Sequence, residues 1–328
     1  MVSRRSARAA PESVVVVVQN RAHHAYDPAR VRLLYCGSGW LPIVDRIAAR
    51  LPAGASIGVW DRVRPLAEAI REIDVALPSN SPFDGSVIAA AKQLRLIQQP
   101  AAGTENIARA AATARGIPVC NAPDANHLAT AEHAVFLVLA LARRAPAALR
   151  AFANREIGVP LGIELAGRTL GIVGMGRIGS AVAARARGLG MTVIALGRGA
   201  DRAQRAAFFG ACDAISLHCP LDTSTRGLVD AEAFAAMRPG ALLVNCARGG
   251  VIDRDALIAA LPKLGGVALD VHWDEPADPQ DPLYSDPRVL AMPHVAGSTE
   301  EAFDRVIAIL LDNLGRLDRG EPFVHRVA

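Results

Sequence analysis

Residues 171–180 read GIVGMGRIGS, and three glycines in that stretch are spaced for one kind of chemistry. Gly174, Gly176 and Gly179 make a G-x-G-x-x-G run with an apolar strand pattern before it and an Ala-rich helical pattern after it. Gly174 permits a tight turn, Gly176 lets a pyrophosphate approach the backbone, and Gly179 lets the helix pack closely on the strand. The amides of Arg177 and Ile178 would face the phosphates from the helix N-terminus, and Arg177 would add a charge-assisted contact. A glycine-rich structural turn is the bland alternative. The flanking strand and helix favour a dinucleotide site.

Such sites place an Asp or Glu about 20 residues further on, where it binds the ribose hydroxyls. In MTVIALGRGADR, residues 191–202, that place holds Gly197 and Arg198. A 2′-phosphate would meet no like charge there, and Arg198 and Arg202 offer planar donors to pair with it. This favours NADP over NAD. Two readings compete: Asp201 turning back to the ribose would favour NAD, and the arginines as a merely solvated loop would decide nothing.

The elements that must position this loop are legible as short apolar runs. After the connector come 169–174, 191–196, 214–219, 241–247, 266–271 and 289–294, near-continuous apolar runs of the kind buried on both faces of a parallel sheet. Ligands of open α/β sheets lie beyond the strands' carboxyl ends. That rule gathers His218, Cys246, Arg248, Asp270 and His294 at one crevice. Earlier runs at 14–19, 75–79, 94–99 and 117–122 alternate with helical patterns, which argues for another parallel sheet. Residues 124–150 read as one long buried helix connecting two domains. The stretch from Ser298 opens with a Ser-Thr-Glu-Glu cap and runs amphipathically to Gly320. It is expected to return to the first domain.

The 328 residues suffice for two domains with aliphatic cores, since 51% are hydrophobic and only 4% aromatic. No apolar run is long enough to span a bilayer. The start, MVSRRSARAAPESVVVVVQN, reads as a basic tail followed by a buried strand, with a twin-arginine or transit signal as the alternative. Cys36, Cys120, Cys212, Cys219 and Cys246 are scattered and odd in number, which points to reduced thiols in a cytoplasmic protein. The net charge of +4 comes without a basic block interleaved with aromatics, so neither nucleic acid nor membrane is an expected partner. Glu132 and His133 have no third ligand nearby in sequence, so they read as helix packing and no metal is expected.

GIVGMGRIG, SLHCPLDTSTRGLVD, MRPGALLVNCARGGVID, GVALDVHWDEP and MPHVAGSTEEA occur in order. Together they resemble the D-isomer-specific 2-hydroxyacid dehydrogenases over about residues 75–305. The resemblance implies an α/β fold of two doubly wound parallel-sheet domains. A Rossmann domain, residues 123–296 with the connector helix, would be inserted into a flavodoxin-like substrate domain of residues 1–122 and 297–328. It implies His294 as general acid, Glu275 holding its imidazole, and Arg248 binding the substrate carboxylate and polarising the keto group. Asp270 would accept from the nicotinamide carboxamide. The amides of Ala102 and Gly103 would grip the substrate carboxylate, and His218, Pro220, Cys246 and Ala247 would line the cofactor groove. Cys219 and Cys246 read as apolar packing residues, because hydride transfer has no task for a thiol.

The resemblance further implies a homodimer acting on a small 2-oxo acid such as glyoxylate or hydroxypyruvate, with NADP favoured over NAD. Long D-3-phosphoglycerate dehydrogenases carry a regulatory domain for which no room is expected here. Formate dehydrogenases of the family have Gln where Glu275 stands, and phosphite oxidation would keep the same three catalytic residues. A dinucleotide-sensing binder, like the family's corepressors, is the rival from another class. The sequence departs from the family between residues 199 and 212, where a short strand and helix are normally fitted and about ten residues look absent. The turn at 260–270 is also shortened.

Overall fold

A computed structural model describes residues 31–328. The apolar run at 14–19 and the basic stretch before it lie outside the described residues. The first sheet is built from β1 (Arg32–Tyr35), β2 (Ser56–Val59), β3 (Val75–Leu77), β4 (Leu96–Gln98) and β5 (Val119–Cys120). Its order is β2-β1-β3-β4-β5, and every pairing is parallel. That is the flavodoxin-like order. Between the strands lie α1 (Pro42–Ala48), α2 (Leu66–Ala69), α3 (Gly85–Ala90) and α4 (Arg109–Ala114). The strands β1 and β2 were not among the expected runs. Edge strand β2 is mostly exposed, so it carries no apolar signature.

Residues 124–150 do not form one helix. They form α5 (His127–Ala142) and the start of α6 (Ala145–Ala153). The break is local chemistry. Arg144 sits in the left-handed region with φ 51°, and Pro146 starts the next helix where its missing N–H costs nothing. Helix α5 buries Ala134, Leu137, Val138 and Leu141 in the core of the second sheet.

The second sheet contains β6 (Thr169–Val173), β7 (Thr192–Leu196), β8 (Ala214–Leu217), β9 (Leu242–Asn245), β10 (Gly266–Leu269) and β11 (Val289–Ala291). Its order is β11-β10-β9-β8-β6-β7, again all parallel. Helices α7 (Arg177–Gly188), α8 (Arg202–Ala211), α9 (Ala231–Ala236), α10 (Arg254–Ala260) and α11 (Pro282–Ser285) connect them. A full doubly wound half would carry one more strand outside β7. Here α8 leads straight into β8, so β7 is the sheet edge and is only partly buried. The shortened segment therefore removes the strand that would wall the adenosine side.

The last helix, α12 (Glu300–Arg319), is capped by the Thr299 hydroxyl and ends at Gly320 with φ 68°. It returns to the first sheet, where Val306, Ile307, Leu310 and Leu314 join Leu33, Tyr35 and Leu77. Asn313, fully buried, ties the return: its amide donates to Gln98 Oε1 at 2.8 Å and its oxygen accepts from the Val324 N–H at 2.9 Å. The terminal residues then run beside β5, with Val327 N donating to Val119 O at 2.7 Å.

Candidate active site

The carboxyl ends of both sheets face a cleft of about 660 Å³. His294 enters it from the turn after β11. Its Nδ1 lies 2.8 Å from Glu275 Oε2, and Glu275 Oε1 accepts from the His272 amide at 3.0 Å. Burial alone would raise the Glu275 carboxyl. The hydrogen bond and charge of His294, then the His272 amide, outweigh it and leave Glu275 below its ordinary value. With Nδ1 turned to Glu275, Nε2 is the ring atom left for a ligand. The His294 backbone has φ 54°. Trp40 and Ser79, also at positive φ, line the same cleft. Strained backbone gathered at one cavity is a mark of a functional site.

Asp270 fixes the turn that carries His294. It is 1% exposed, and its two oxygens accept from the Val295 and Ala296 amides at 2.8 and 3.0 Å. His133 Nε2 stands 3.4 Å from the same carboxylate. Burial pushes the Asp270 carboxyl up, but His133 and these two amides hold it below the ordinary range. Helix α5 thus reaches the site through His133, while Glu132 pairs with Arg185 at 2.8 Å.

Arg248 follows β9. Asn245, fully buried, positions this turn by donating to the Arg248 carbonyl and accepting from the Ala247 amide, both at 2.9 Å. The Arg248 guanidinium donates to Ala247 O at 2.7 Å and faces Glu105 Oε2 at 3.5 Å. Across the cleft, the carbonyls of Ala102 and Gly103 are held by Asn121 and Gln99 at 2.8 and 2.9 Å. Their amides donate to nothing among the described residues. A Cβ at Gly103 would strike the Arg248 guanidinium and come within 2.5 Å of Glu105 Oε2.

The glycine loop has the shape its spacing predicts. Gly174 has φ 93°, and a Cβ there would lie 2.6 Å from Cys219 N. A Cβ at Gly179 would collide with the Gly174 carbonyl, whereas one at Gly176 would meet open space. Helix α7 has no side-chain cap, and the amides of Arg177 and Ile178 have no partner among the described residues. These observations fit a dinucleotide pyrophosphate. His218 borders the loop, with Ser216 Oγ 2.8 Å from its Nε2. Burial lowers its pKa to about 4, so this wall is uncharged near neutral pH.

A family model described as D-isomer specific 2-hydroxyacid dehydrogenase, NAD binding domain, matches residues 135–296. A glyoxylate reductase of Korarchaeum cryptofilum is 34% identical over 303 residues, covering 85% of this chain and 91% of that one. The chain belongs to this dehydrogenase family. A D-3-phosphoglycerate dehydrogenase of Archaeoglobus fulgidus is 38% identical over 273 residues, covering 78% of this chain but 52% of the relative. The chain thus spans about half the length of that kind of relative. The crystal structure of an NADPH-dependent glyoxylate/hydroxypyruvate reductase from Sinorhizobium meliloti, in complex with NADP and malonate, superposes with a TM-score of 0.79 at 27% identity. The match covers 91% of this chain and 97% of that one.

Not every residue expected of this family member sits in the cleft. Ala102, Gly103, Ile178, Cys246, Arg248, Asp270, Glu275 and His294 line it together. Arg177 is paired with Asp124 at 2.5 Å. Arg202 is drawn away from the cofactor side to Glu232 at 2.6 Å, and Asp201 is consumed as the N-cap of α8 in a capping box with Gln204. Arg198 remains exposed and makes no ion pair among the described residues. Pro220 is exposed beside the buried Cys219, and Ala247 is buried. Burial pushes the Cys219 thiol up to about 11 and Cys246 well above its ordinary value, so neither offers a thiolate.

Trp40 was not foreseen. Its ring meets His294 edge-on, 5.0 Å between centroids at 85°, and its Nε1 donates to Ser298 Oγ at 2.9 Å. It stands in the first domain, far from any motif, so only the fold brings it to the histidine. Glu105 lies two residues beyond Gly103 in the same loop, but its pairing with Arg248 needs both sheets in place.

Proposed function

We propose that this enzyme reduces small 2-oxo acids, glyoxylate and hydroxypyruvate foremost, to D-2-hydroxy acids. The observation that carries the reading is the His294–Glu275 pair at 2.8 Å facing Arg248 in one cleft beside the glycine loop. A reduced dinucleotide, held at the glycine loop and the Arg177 and Ile178 amides, would supply the hydride for the carbonyl carbon. As the carbonyl π electrons move to oxygen, His294 gives that oxygen its Nε2 proton, so hydride and proton together add two electrons and two hydrogens to the acid. Glu275 holds the ring and balances its charge. Arg248 binds the carboxylate and polarises the keto group, and the free amides of Ala102 and Gly103 take the other carboxylate face. Asp270 keeps spare lone pairs for a carboxamide while positioning His294.

NADP is the favoured cofactor and NAD the alternative. The support is Gly197, where a Cβ meets open space, beside the uncommitted Arg198. Arg202, bound to Glu232, leaves that role to Arg198 alone. Residues 123–296 form the dinucleotide-binding domain in this reading, and 1–122 with 297–328 the substrate domain of a cytoplasmic homodimer. No described helix is long and apolar enough to cross a membrane.

Initial rates on glyoxylate and hydroxypyruvate, each with NADPH and NADH, test the reading. D-product formed faster with NADPH, with the preference lost in Arg198→Gln and reversed toward NADH in Gly197→Asp, supports it. An NADH preference in the wild type overturns the cofactor assignment. Dinucleotide binding without turnover favours the sensor reading.

A further inference from the structure

We infer that this cleft selects 2-oxo acids whose distal group is uncharged and rejects those carrying a second anion, such as a phosphate or another carboxylate, with Glu105 enforcing the choice. The inference rests on the 2-oxo-acid reading above and narrows it.

The charges around the cleft are unevenly placed. Among the described residues, the wall contributed by the first sheet and α12 holds a single charged side chain, Glu105. The rest of that wall is apolar or neutral and includes Trp40, Ile43, Ser79, Asn80 and Phe303. Arg62, near Asn80 in space, does not line the cleft. Its guanidinium donates to Cys36 O and Ser81 Oγ, both at 3.1 Å, and lies 4.8 Å from the centre of the Trp60 ring.

The opposite wall has two arginines. Arg248 is the cation at the reacting end, and Glu105 already faces it at 3.5 Å. A substrate carboxylate arriving there makes two anions around one cation. A second anionic group on the same small molecule then finds either the neutral wall or Glu105 itself. Glu275 and Asp270 add negative charge behind the histidine rather than a counter-ion. Arg226 is the remaining cation, exposed beside Leu221 and Gly250 on the nucleotide-binding side. A like charge a few ångströms away in a partly wet cleft costs about tenfold in binding. A pocket that leaves a charged group without a partner discriminates more strongly than one that merely lacks a methylene. The nearby relatives named D-3-phosphoglycerate dehydrogenase make the outcome informative, because a phosphorylated substrate is what such a name leads one to try.

The test is kcat/KM at pH 7 with saturating dinucleotide on four acids: pyruvate and hydroxypyruvate, against oxaloacetate and 3-phosphohydroxypyruvate. The pair with an uncharged distal group should exceed the pair with a second anionic group by roughly a hundredfold. Glu105→Gln should narrow that gap by about tenfold, chiefly by improving the acids with a second anionic group. Asn80→Lys, which adds a cation to the neutral wall, should do the same and stands in if Glu105→Gln does not fold. Acids with a charged distal group turned over as well as those with an uncharged one would overturn the inference and leave the 2-oxo-acid reading standing. Turnover of the acids with a charged distal group that vanishes in Arg226→Gln would overturn it too, placing the second anionic group on Arg226. No turnover of any of the four would overturn both.

Discussion

His294 shows how much of the chemistry depends on arrangements around one side chain. Its φ of 54° is disfavoured for any residue with a Cβ, and the turn persists because Asp270 receives the two amides that follow it. Glu275 then fixes the ring. Glu275→Gln keeps the shape but removes the anion that balances a protonated imidazole. Its kcat for reduction should fall about a hundredfold with KM nearly unchanged; a change confined to KM would refute the role. The carboxyl also gives a pH signature. Its folded pKa lies below the ordinary 4.5, so its contribution to stability is complete above that value and is lost as pH falls through the lower folded one. The difference in thermal midpoint between wild type and Glu275→Gln should be constant from pH 7 to about pH 5 and shrink below about pH 4.5. A difference that grows on acidification would reverse the assignment.

At the scale of elements, legibility followed the length of the apolar run: the short β1 was missed although it is buried, and the edge strand β7 was read although it is only partly buried. The six strands of the second sheet read clearly because they are apolar on both faces, and the glycine loop read clearly because its three glycines answer three separate steric demands. Gly174→Ala meets two of these at once, a positive φ and a Cβ 2.6 Å from Cys219 N. Denaturant unfolding should show a loss of about 1–3 kcal/mol, with weakened dinucleotide binding. Where a signal was local and polar, the reading failed. The mostly exposed β2 left no apolar run, and the kink at Arg144 is set by one backbone conformation inside an otherwise helical pattern. Trp40 and Glu105 were silent for a different reason: their partners are distant in sequence. Asn313 is a further long-range bond of that kind. Asn313→Ala would strand Gln98 Oε1 and the Val324 N–H inside the protein, costing about 2–4 kcal/mol and loosening the C-terminal residues from β5. Hydrogen exchange at Val327, whose amide donates to Val119, reads that loosening directly; unchanged protection there would refute it.

At the scale of the molecule, what the single chain leaves uncovered is as informative as what it buries. Leu128, Phe136 and Leu139 on α5, Leu149 and Phe152 on α6, and Ile157, Val159 and Leu161 beyond it are all exposed. Phe152 is 83% and Ile157 97% accessible. Monomeric surfaces seldom hold a contiguous apolar patch beyond a few hundred Å², whereas a stable dimer buries roughly 1,200–2,000 Å² in total. A second copy of the chain seated on this face would account for the patch and would brace the helix whose His133 faces Asp270. Sedimentation at micromolar concentration should give a dimer for the wild type. Phe152→Asp together with Leu149→Asp should give a folded monomer, because both side chains point into solvent in the isolated chain. If α5 needs that bracing, the monomer should also lose reduction rate, with the loss in kcat and not in the KM for the oxo acid. A wild type that sediments as a monomer would remove the second copy from this face. A dimer unaffected by both substitutions would place the interface elsewhere on the surface.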